Sequence, residues 1–588
     1  MRKNRLMAWL ALCMLCIGLL IARLAQIQLI STTSFSEHDI NLLEASVRQR
    51  AQEIVIDNGR GNFLDRSGEP LVYEKNPVLV LFPFLKHMEW PAEKVASIAG
   101  VSANAISRAL KDAKEPFAFG FPEPIALSQR EMDQINTLEI PGVFAVEQKF
   151  LLPDRQAAQL IGINGENPSL VKKRYGDKEF LPRTLTGLSG LEKSFDEFLI
   201  GEGKSRLVYH VDAIGSPLFG INVKYSEPAN PFYPVNVKTT IDKDLQEISE
   251  GLADRHQLKK GGLVLLDIES NSVLAMVSRP KLNRKNPFGD AGVENMMVKQ
   301  QIPGSVFKTV VAAAAIDYEL APAARRFDCS KKINGEPDLK YQHGVLDFPQ
   351  SFSRSCNRTF ADLAKELKKI DTTIMETYAE KLSLTGSVGW SGDIFHTENF
   401  KQFADEESGR VFSSEKARQD DNFAALSAIG QHEVRVSPLA VANMMATIAR
   451  GGEKLMVRTV EAVEYQNGSK LVGFEAKKLP GETLSPYTVQ NLQKLLREVV
   501  TDEKGTGRWF KELPYAVAGK SGTAETGRHK EGRQMHSKWF AGYFPYEKPK
   551  YALVAVSLDV HEEEGGVNAL FADMVKELYQ SDQKKAAE

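Results

Sequence analysis

Cysteine is scarce in this chain: four residues in 588, at positions 13, 16, 329 and 356. Cys13 and Cys16 fall inside an apolar N-terminal run, so the count excludes a fold stapled by a disulfide framework, and Cys329 and Cys356 are expected as free thiols. An excess of either charge is also missing. Lys and Arg number 74, Asp and Glu 76, and the formal net charge is −2, which removes the electrostatic case for a nucleic-acid partner. The one local basic run, Arg279, Lys281, Arg284 and Lys285, has no interleaved aromatics and reads as a solvated loop. No internal repeat and no low-complexity tract is present, and the acidic "HEEEGG" (His561 to Gly566) reads as a solvated turn. The reading calls for no metal and no cofactor.

Long apolar runs are missing too, with one exception. Arg2, Lys3 and Arg5 precede Leu6 to Ala22, a stretch without a charged residue. Extended through Leu24, Ala25, Ile27, Leu29 and Ile30, it can span a hydrocarbon core of about 30 Å, with Arg23 reaching the far interface. The basic flank lies on the N-terminal side, which predicts a cytoplasmic N-terminus and an extracytoplasmic remainder. The competing reading is a cleaved signal peptide. It is disfavoured because no clean small-x-small site follows the run, and neither Cys13 nor Cys16 follows a small residue.

After the anchor, Ser36 to Gln52 reads as a polar helical stalk. "IVIDNGRGNFLDRSGEPLV" (Ile54 to Val72) reads as strands and turns, and Ala92 to Leu110 and Ser128 to Asn136 as helical stretches. "SEPANPFYP" (Ser226 to Pro234) is the best linker. Beyond it, "GGLVLLDIESNSVLAMVS" (Gly261 to Ser278) predicts strand, turn, strand. A mainly helical span to about Gly452 follows. "YAVAGKSGTAE", "SKWFAGYFP" and "YALVAVSLDV" predict three further strands. Strands at both ends of a helical middle predict an α/β or α+β fold whose sheet is closed by both ends of the domain.

The chemistry is concentrated in three short stretches. "PGSVFKTVVAAAA" places Ser305 and Lys308 three residues apart at the head of an apolar helix, where i and i+3 share a face. The Ser-x-x-Lys spacing also occurs at Ser169, Ser278, Ser413 and Ser581, but only Ser305 heads such a helix. Ser355-Cys356-Asn357 and Lys520-Ser521-Gly522-Thr523 follow in order. A serine hydroxyl needs a base in contact to act as a nucleophile. Lys308 is that base if burial and a neighbouring cation keep it neutral. Ser355 can relay a proton, and Asn357 offers both a donor and an acceptor to a peptide amide. Lys520 supplies positive charge for a substrate carboxylate and depresses Lys308, and Ser521 and Thr523 can donate to the same carboxylate. Gly522 leaves the strand backbone open to substrate, and the N–H groups of Ser305 and Thr523 can form an oxyanion hole.

Ser-x-x-Lys, Ser-x-Asn and Lys-Ser/Thr-Gly in this order are the signature of serine β-lactamases and penicillin-binding proteins. The resemblance extends further. "RGNFLDRSGEPL" (Arg60 to Leu71), "DRQAAQLIG" (Asp154 to Gly162) and "GLSGLEKSFDEFLIG" (Gly187 to Gly201) resemble a non-catalytic N-terminal module. "VKTTIDKDLQ" (Val237 to Gln246), "HGVLDFPQSFSRSCN" and "WFAGYFP" (Trp539 to Pro545) resemble the transpeptidase domain that follows it. The chain as a whole is similar to a class B penicillin-binding protein. It departs at Ser521, where the family often has Thr, and in "GQHEVRVSP" (Gly430 to Pro438), where a second Gly usually follows Gly-Gln. His432 in that stretch reads as an ordinary loop histidine, with a residue at the rim of the site as the alternative.

The resemblance implies a serine β-lactamase/transpeptidase-like catalytic domain at 234–588. Ahead of it stand an elongated α+β dimerisation-type module at 31–233, a transmembrane anchor at 6–30 and a cytoplasmic tail at 1–5. It implies peptidoglycan cross-linking through a serine acyl-enzyme on D-Ala-D-Ala stem peptides, acylation by β-lactams and a separate membrane glycan polymerase as partner. It leaves a homodimer open. The alternatives on the same residues are a D-alanyl-D-alanine carboxypeptidase and a β-lactamase, although no deacylating carboxylate can be pointed to. Outside catalysis, a β-lactam sensor would need several spans and an output domain, and an inert scaffold would be expected to have lost a motif residue.

Overall fold

The computed structural model describes residues 2–35, 41–42, 45–46, 50–121, 124–152, 155–176, 184–201, 203–212, 218, 224–226, 230–283, 285–289, 291–395 and 397–587. Most of the expected stalk, Arg284, Asp154 of the DRQAAQLIG stretch and residues 227–229 of the Pro-rich joint lie outside them. The helix Arg2–Ala25 continues as a π-helical turn, Gln26–Ile30, and is exposed along nearly all of its length. At 1.5 Å per residue its α-helical part alone covers about 36 Å, so it is long and apolar enough to cross a membrane.

The chain forms two compact units. One comprises Met1–Gly59, Glu74–Leu151 and Glu202–Pro231, and the other Arg60–Tyr73, Leu152–Gly201 and Phe232–Glu588. The first contains antiparallel ribbons, one of them pairing Ala51–Asp57 with Ser205–His210. Ala51 and Gln52, expected in a helical stalk, therefore belong to a strand. The core of this unit gathers Val78, Val80, Phe82, Phe84, Ile106, Ile135 and Tyr209.

The second unit is built on a five-stranded antiparallel sheet. Its strands are β1 (Gly261–Asp267), β2 (Ser272–Arg279), β3 (Ala518–Lys530), β4 (Arg533–Phe544) and β5 (Tyr551–His561), in the spatial order β2-β1-β5-β4-β3. The earliest strands thus pair with the last, as expected, and β3 is an edge. Successive side chains on a strand point to opposite faces. Leu263, Leu265, Phe540, Phe544, Leu553 and Ala555 line one face, under the helices α1 (Lys243–Arg255) and α6 (Asn568–Ala587). Val264, Leu266, Trp539, Ala541, Tyr543, Val554 and Val556 line the other, under α4 (Pro438–Ala449) and α5 (Pro486–Thr501), with α2 (Lys308–Asp317) and α3 (Asn357–Ile370) in the same core. Burial on both faces is why these strands read as near-continuous apolar runs. Shortening one of the fully buried leucines to Ala should cost about 2–5 kcal/mol.

The helices are punctuated by side chains. Asp242, Ser437 and Ser485 accept from backbone N–H groups in the first turns of α1, α4 and α5, and Pro438 and Pro486 occupy first-turn positions where no N–H is required. All residues of α4 are buried, as are Lys308 to Ala315 of α2. A helix enclosed all round needs no polar face, which accounts for the alanine run.

Two further expectations are corrected. Cys329 and Cys356 are not free thiols. They form a disulfide with a Cα–Cα distance of 5.8 Å, because the ribbon of Phe327–Asp328 with Val345–Leu346 brings Cys329 beside the head of α3. The low count excluded a disulfide framework but not a single bridge. Arg279 is not a solvated loop residue. It ends β2, is buried and pairs with Asp254 at 2.8 Å.

Candidate active site

Ser305 lies in a 3₁₀ turn, Gly304–Phe307, which leads directly into α2. In 3₁₀ geometry the side chains at i and i+3 share a face, so the turn places Ser305 and Lys308 on the same side of the helix head. The turn is wedged against the edge strand. Gly304 adopts φ +57°, and a Cβ there would stand 2.3 Å from the carbonyl oxygen of Thr523. A Cβ on Gly522 would stand 2.5 Å from the carbonyl oxygen of Pro303 and 2.9 Å from Val306. The two glycines let the helix head and the strand touch, and this close approach gives Gly522 a packing role. Trp539 on β4 donates its indole N–H to the carbonyl of Ile302 at 3.0 Å, and Gly304 N–H donates to Gly430 at 2.9 Å.

Lys308 is fully buried. Its Nζ donates to the carbonyl of Ser355 at 2.6 Å and to Asn357 Oδ1 at 2.7 Å, and lies 3.1 Å from Ser355 Oγ. Lys520, also fully buried, donates to Ser355 Oγ at 3.1 Å from the other side. One hydroxyl therefore sits between two amines. Ser355 holds this position in the left-handed region, φ +62°, a backbone cost of about 1–2 kcal/mol for a residue with a Cβ. Ser521 donates to Thr506 Oγ1 at 2.8 Å.

Burial drives Lys308 well below the usual lysine range, and the charge of Lys520 pushes the same way. Burial brings Lys520 down to about 7. Two neutral or half-protonated amines flanking a hydroxyl can pass a proton among themselves, which two exposed lysines at neutral pH cannot.

The motifs surround a cleft of about 600 Å³. Its lining includes Ser305, Ser355, Asn357, Ser521 and Thr523, while Lys308 and Lys520 lie behind the wall. Gln431, Thr506 and Arg354 also face it and were not singled out from sequence. Gln431 clips the strand end, with Nε2 donating to the Thr523 carbonyl at 3.3 Å and Oε1 accepting from Glu525 N–H at 3.1 Å. The Gly-Gln pair and the glycines flanking Thr506 were the available signals. His432 is an exposed loop residue stacked on Phe423 at 4.4 Å. Among the described residues, no cluster of His, Cys, Asp and Glu has the makings of a metal site.

The transpeptidase-domain model of penicillin-binding proteins matches residues 261–576, and the penicillin-binding-protein dimerisation-domain model matches 55–232. The chain is 24% identical to peptidoglycan D,D-transpeptidase FtsI of Escherichia coli, over 93% of this chain and 86% of that protein. Among solved structures it resembles a chain of a peptidoglycan synthase complex, with a TM-score of 0.64, 23% identity and coverage of 98% and 97% of the two chains. It also resembles penicillin-binding protein 2X of Streptococcus thermophilus, with a TM-score of 0.65, 18% identity and coverage of 91% and 80%. With the three motifs gathered on one cleft and a dimerisation domain ahead of the transpeptidase domain, the chain belongs to the penicillin-binding-protein transpeptidase family, in the class B arrangement.

Proposed function

We propose that this protein is a membrane-anchored peptidoglycan D,D-transpeptidase. The observation that carries the reading is the single Ser355 hydroxyl held between Nζ of Lys308 and Nζ of Lys520, at the wall of a cleft that Ser305 also lines. Ser305 Oγ attacks the carbonyl of the penultimate D-Ala of a stem peptide while neutral Lys308 takes its proton. The N–H groups of Ser305 and Thr523 stabilise the oxyanion. Ser355 returns the proton to the departing D-Ala amine, breaking the peptide bond and leaving an ester on Ser305. Asn357 holds the stem-peptide amide. Ser521 and Thr523 bind the terminal carboxylate in the field of Lys520, and Gly522 keeps the strand within reach. An amine of a second stem peptide then displaces Ser305 and completes the cross-link. A β-lactam enters by the same attack and stays as the ester.

In this reading residues 1–5 are cytoplasmic, 6–30 span the membrane, 31–233 form the non-catalytic module and 234–588 the transpeptidase domain, outside the membrane. The basic flank Arg2, Lys3 and Arg5 supports that orientation. The resemblance to a chain of a peptidoglycan synthase complex supports a glycan polymerase as partner. The test is a stem peptide ending in D-Ala-D-Ala, supplied with and without an amine acceptor. Transpeptidation predicts that the amine accelerates turnover and appears in the product. Release of the free acid alone, at a rate the amine does not change, would make the protein a carboxypeptidase.

A further inference from the structure

The turn that carries Ser355 is braced along its flank. Ser355 follows the short helix Phe348–Ser353 and stands in the left-handed region. Its flank is gripped by residues 502–506, just past the end of α5. Asp502 Oδ2 accepts from Ser353 Oγ at 2.7 Å and from Arg354 Nε at 2.9 Å. The Thr506 N–H donates to the Ser353 carbonyl at 3.0 Å. Thr506 Oγ1 donates to that carbonyl at 3.2 Å and accepts from Ser521 Oγ at 2.8 Å.

The helix end by itself does not favour an acid at this position. Asp502 caps the C-terminal end of α5, where the helix dipole favours a cation and an acid costs roughly 0.3–1 kcal/mol. The Asp502 side chain is only 11% exposed and that of Arg354 only 16%. Burial raises the Asp502 carboxyl, but the hydrogen bonds and charge of Arg354, with the N–H of Lys504 and the hydroxyl of Ser353, hold it below its ordinary range. Glu498, one turn back, is pushed up by burial and by the negative charges of Asp347 and Asp502. A buried acid at the wrong helix end stands beside a left-handed serine. Departures from local preference of this kind mark a position kept for function.

We propose that Asp502 is a positioning residue for the reaction, fixing the Ser353–Arg354 pair so that the Ser355 hydroxyl stays between Lys308 and Lys520. Asp502 does not line the cleft and acts only through the turn. The inference rests on the role given to Ser355 in the proposed function. A misplacement of about 1 Å in a reacting constellation costs on the order of 100-fold, so Asp502→Ala should lose about 10- to 100-fold in the acylation rate constant.

The test is a double-mutant cycle in the full-length protein, reading stopped-flow or hand-mixed acylation by a fluorescent penicillin, with melting curves for every variant. In the parent, Asp502→Ala should slow acylation by at least about tenfold. In a Ser355→Ala background the same change should cost less than about threefold, because there is no hydroxyl left to place. Asp502→Asn keeps the shape and one acceptor, should fall between, and serves for the same cycle if the alanine variant melts. Equal losses in both backgrounds, or no loss in the parent, would overturn the inference while leaving Ser305 chemistry intact. A parent that is not acylated at Ser305 would instead overturn the proposed function itself.

Discussion

Replacing Lys520 with Met should move the acidic limb of the acylation profile to higher pH. In the proposed reaction Lys308 is a base only when neutral, so acylation should fall as pH drops through its pKa. Burial and then Lys520 hold that pKa down. Both Nζ atoms lie 3.1 Å from Ser355 Oγ, which places them within about 6 Å of each other. Two full charges at that separation repel by roughly 3 kcal/mol at an effective dielectric of 20, equivalent to about 2 pKa units. Lys520 itself titrates at about 7 and so carries its charge on the acidic limb, where its removal should raise the midpoint set by Lys308. Methionine keeps the apolar stem without the charge. The lost donor to Ser355 slows the reaction at every pH and does not move the limb, so the midpoint is the readout. Stopped-flow acylation with a fluorescent penicillin across the pH range in which both proteins stay folded measures it. An unmoved limb, or one displaced to lower pH, would refute the electrostatic coupling of the two lysines.

Lys308→Arg keeps a charge that cannot accept the proton, so acylation should fall by about 10²- to 10⁴-fold. A folded variant within about tenfold of the parent would show that Lys308 is not the base. Gly304→Ala puts a Cβ 2.3 Å from the Thr523 carbonyl at φ +57°. It should slow acylation about 100-fold and also lower the melting temperature, because the strand backbone must give way, and full activity in a folded variant would mean that the wedge between turn and strand is dispensable. Cys329→Ser with Cys356→Ser opens a bridge of sequence separation 27. Loop-closure entropy predicts a loss of about 3–4 kcal/mol, read by denaturant unfolding, and an unchanged midpoint would refute it.

The sheet was legible because its strands are buried on both faces and punctuated by turns. "GGLVLLDIESNSVLAMVS" and the three C-terminal runs all became strands of one sheet. The candidate site was legible in its residue types, since Ser-x-x-Lys on an apolar helix is unusual chemistry for a buried segment. That Ser355 and Lys520 approach Lys308 was expected from the chemistry of the motifs, but the shared contact was not legible. Nothing in the spacing says that Lys520, at 165 residues' distance, shares the Ser355 hydroxyl with Lys308. The brace from Asp502 to Ser353 crosses 149 residues, and neither partner belongs to the three catalytic motifs. The disulfide was missed for the same reason, because pairing is a tertiary fact that a count of thiols does not contain. Arg279 was misread because a basic run looks solvated until its partner, Asp254, is placed beside it.

The most direct test of the central claim is the site of covalent attachment. Intact-protein mass followed by peptide mapping after exposure to penicillin should show one adduct, on Ser305, and none on a folded Ser305→Ala protein. An adduct on any other residue, or full labelling of the Ser305→Ala protein, would contradict the assignment of Ser305 as the nucleophile.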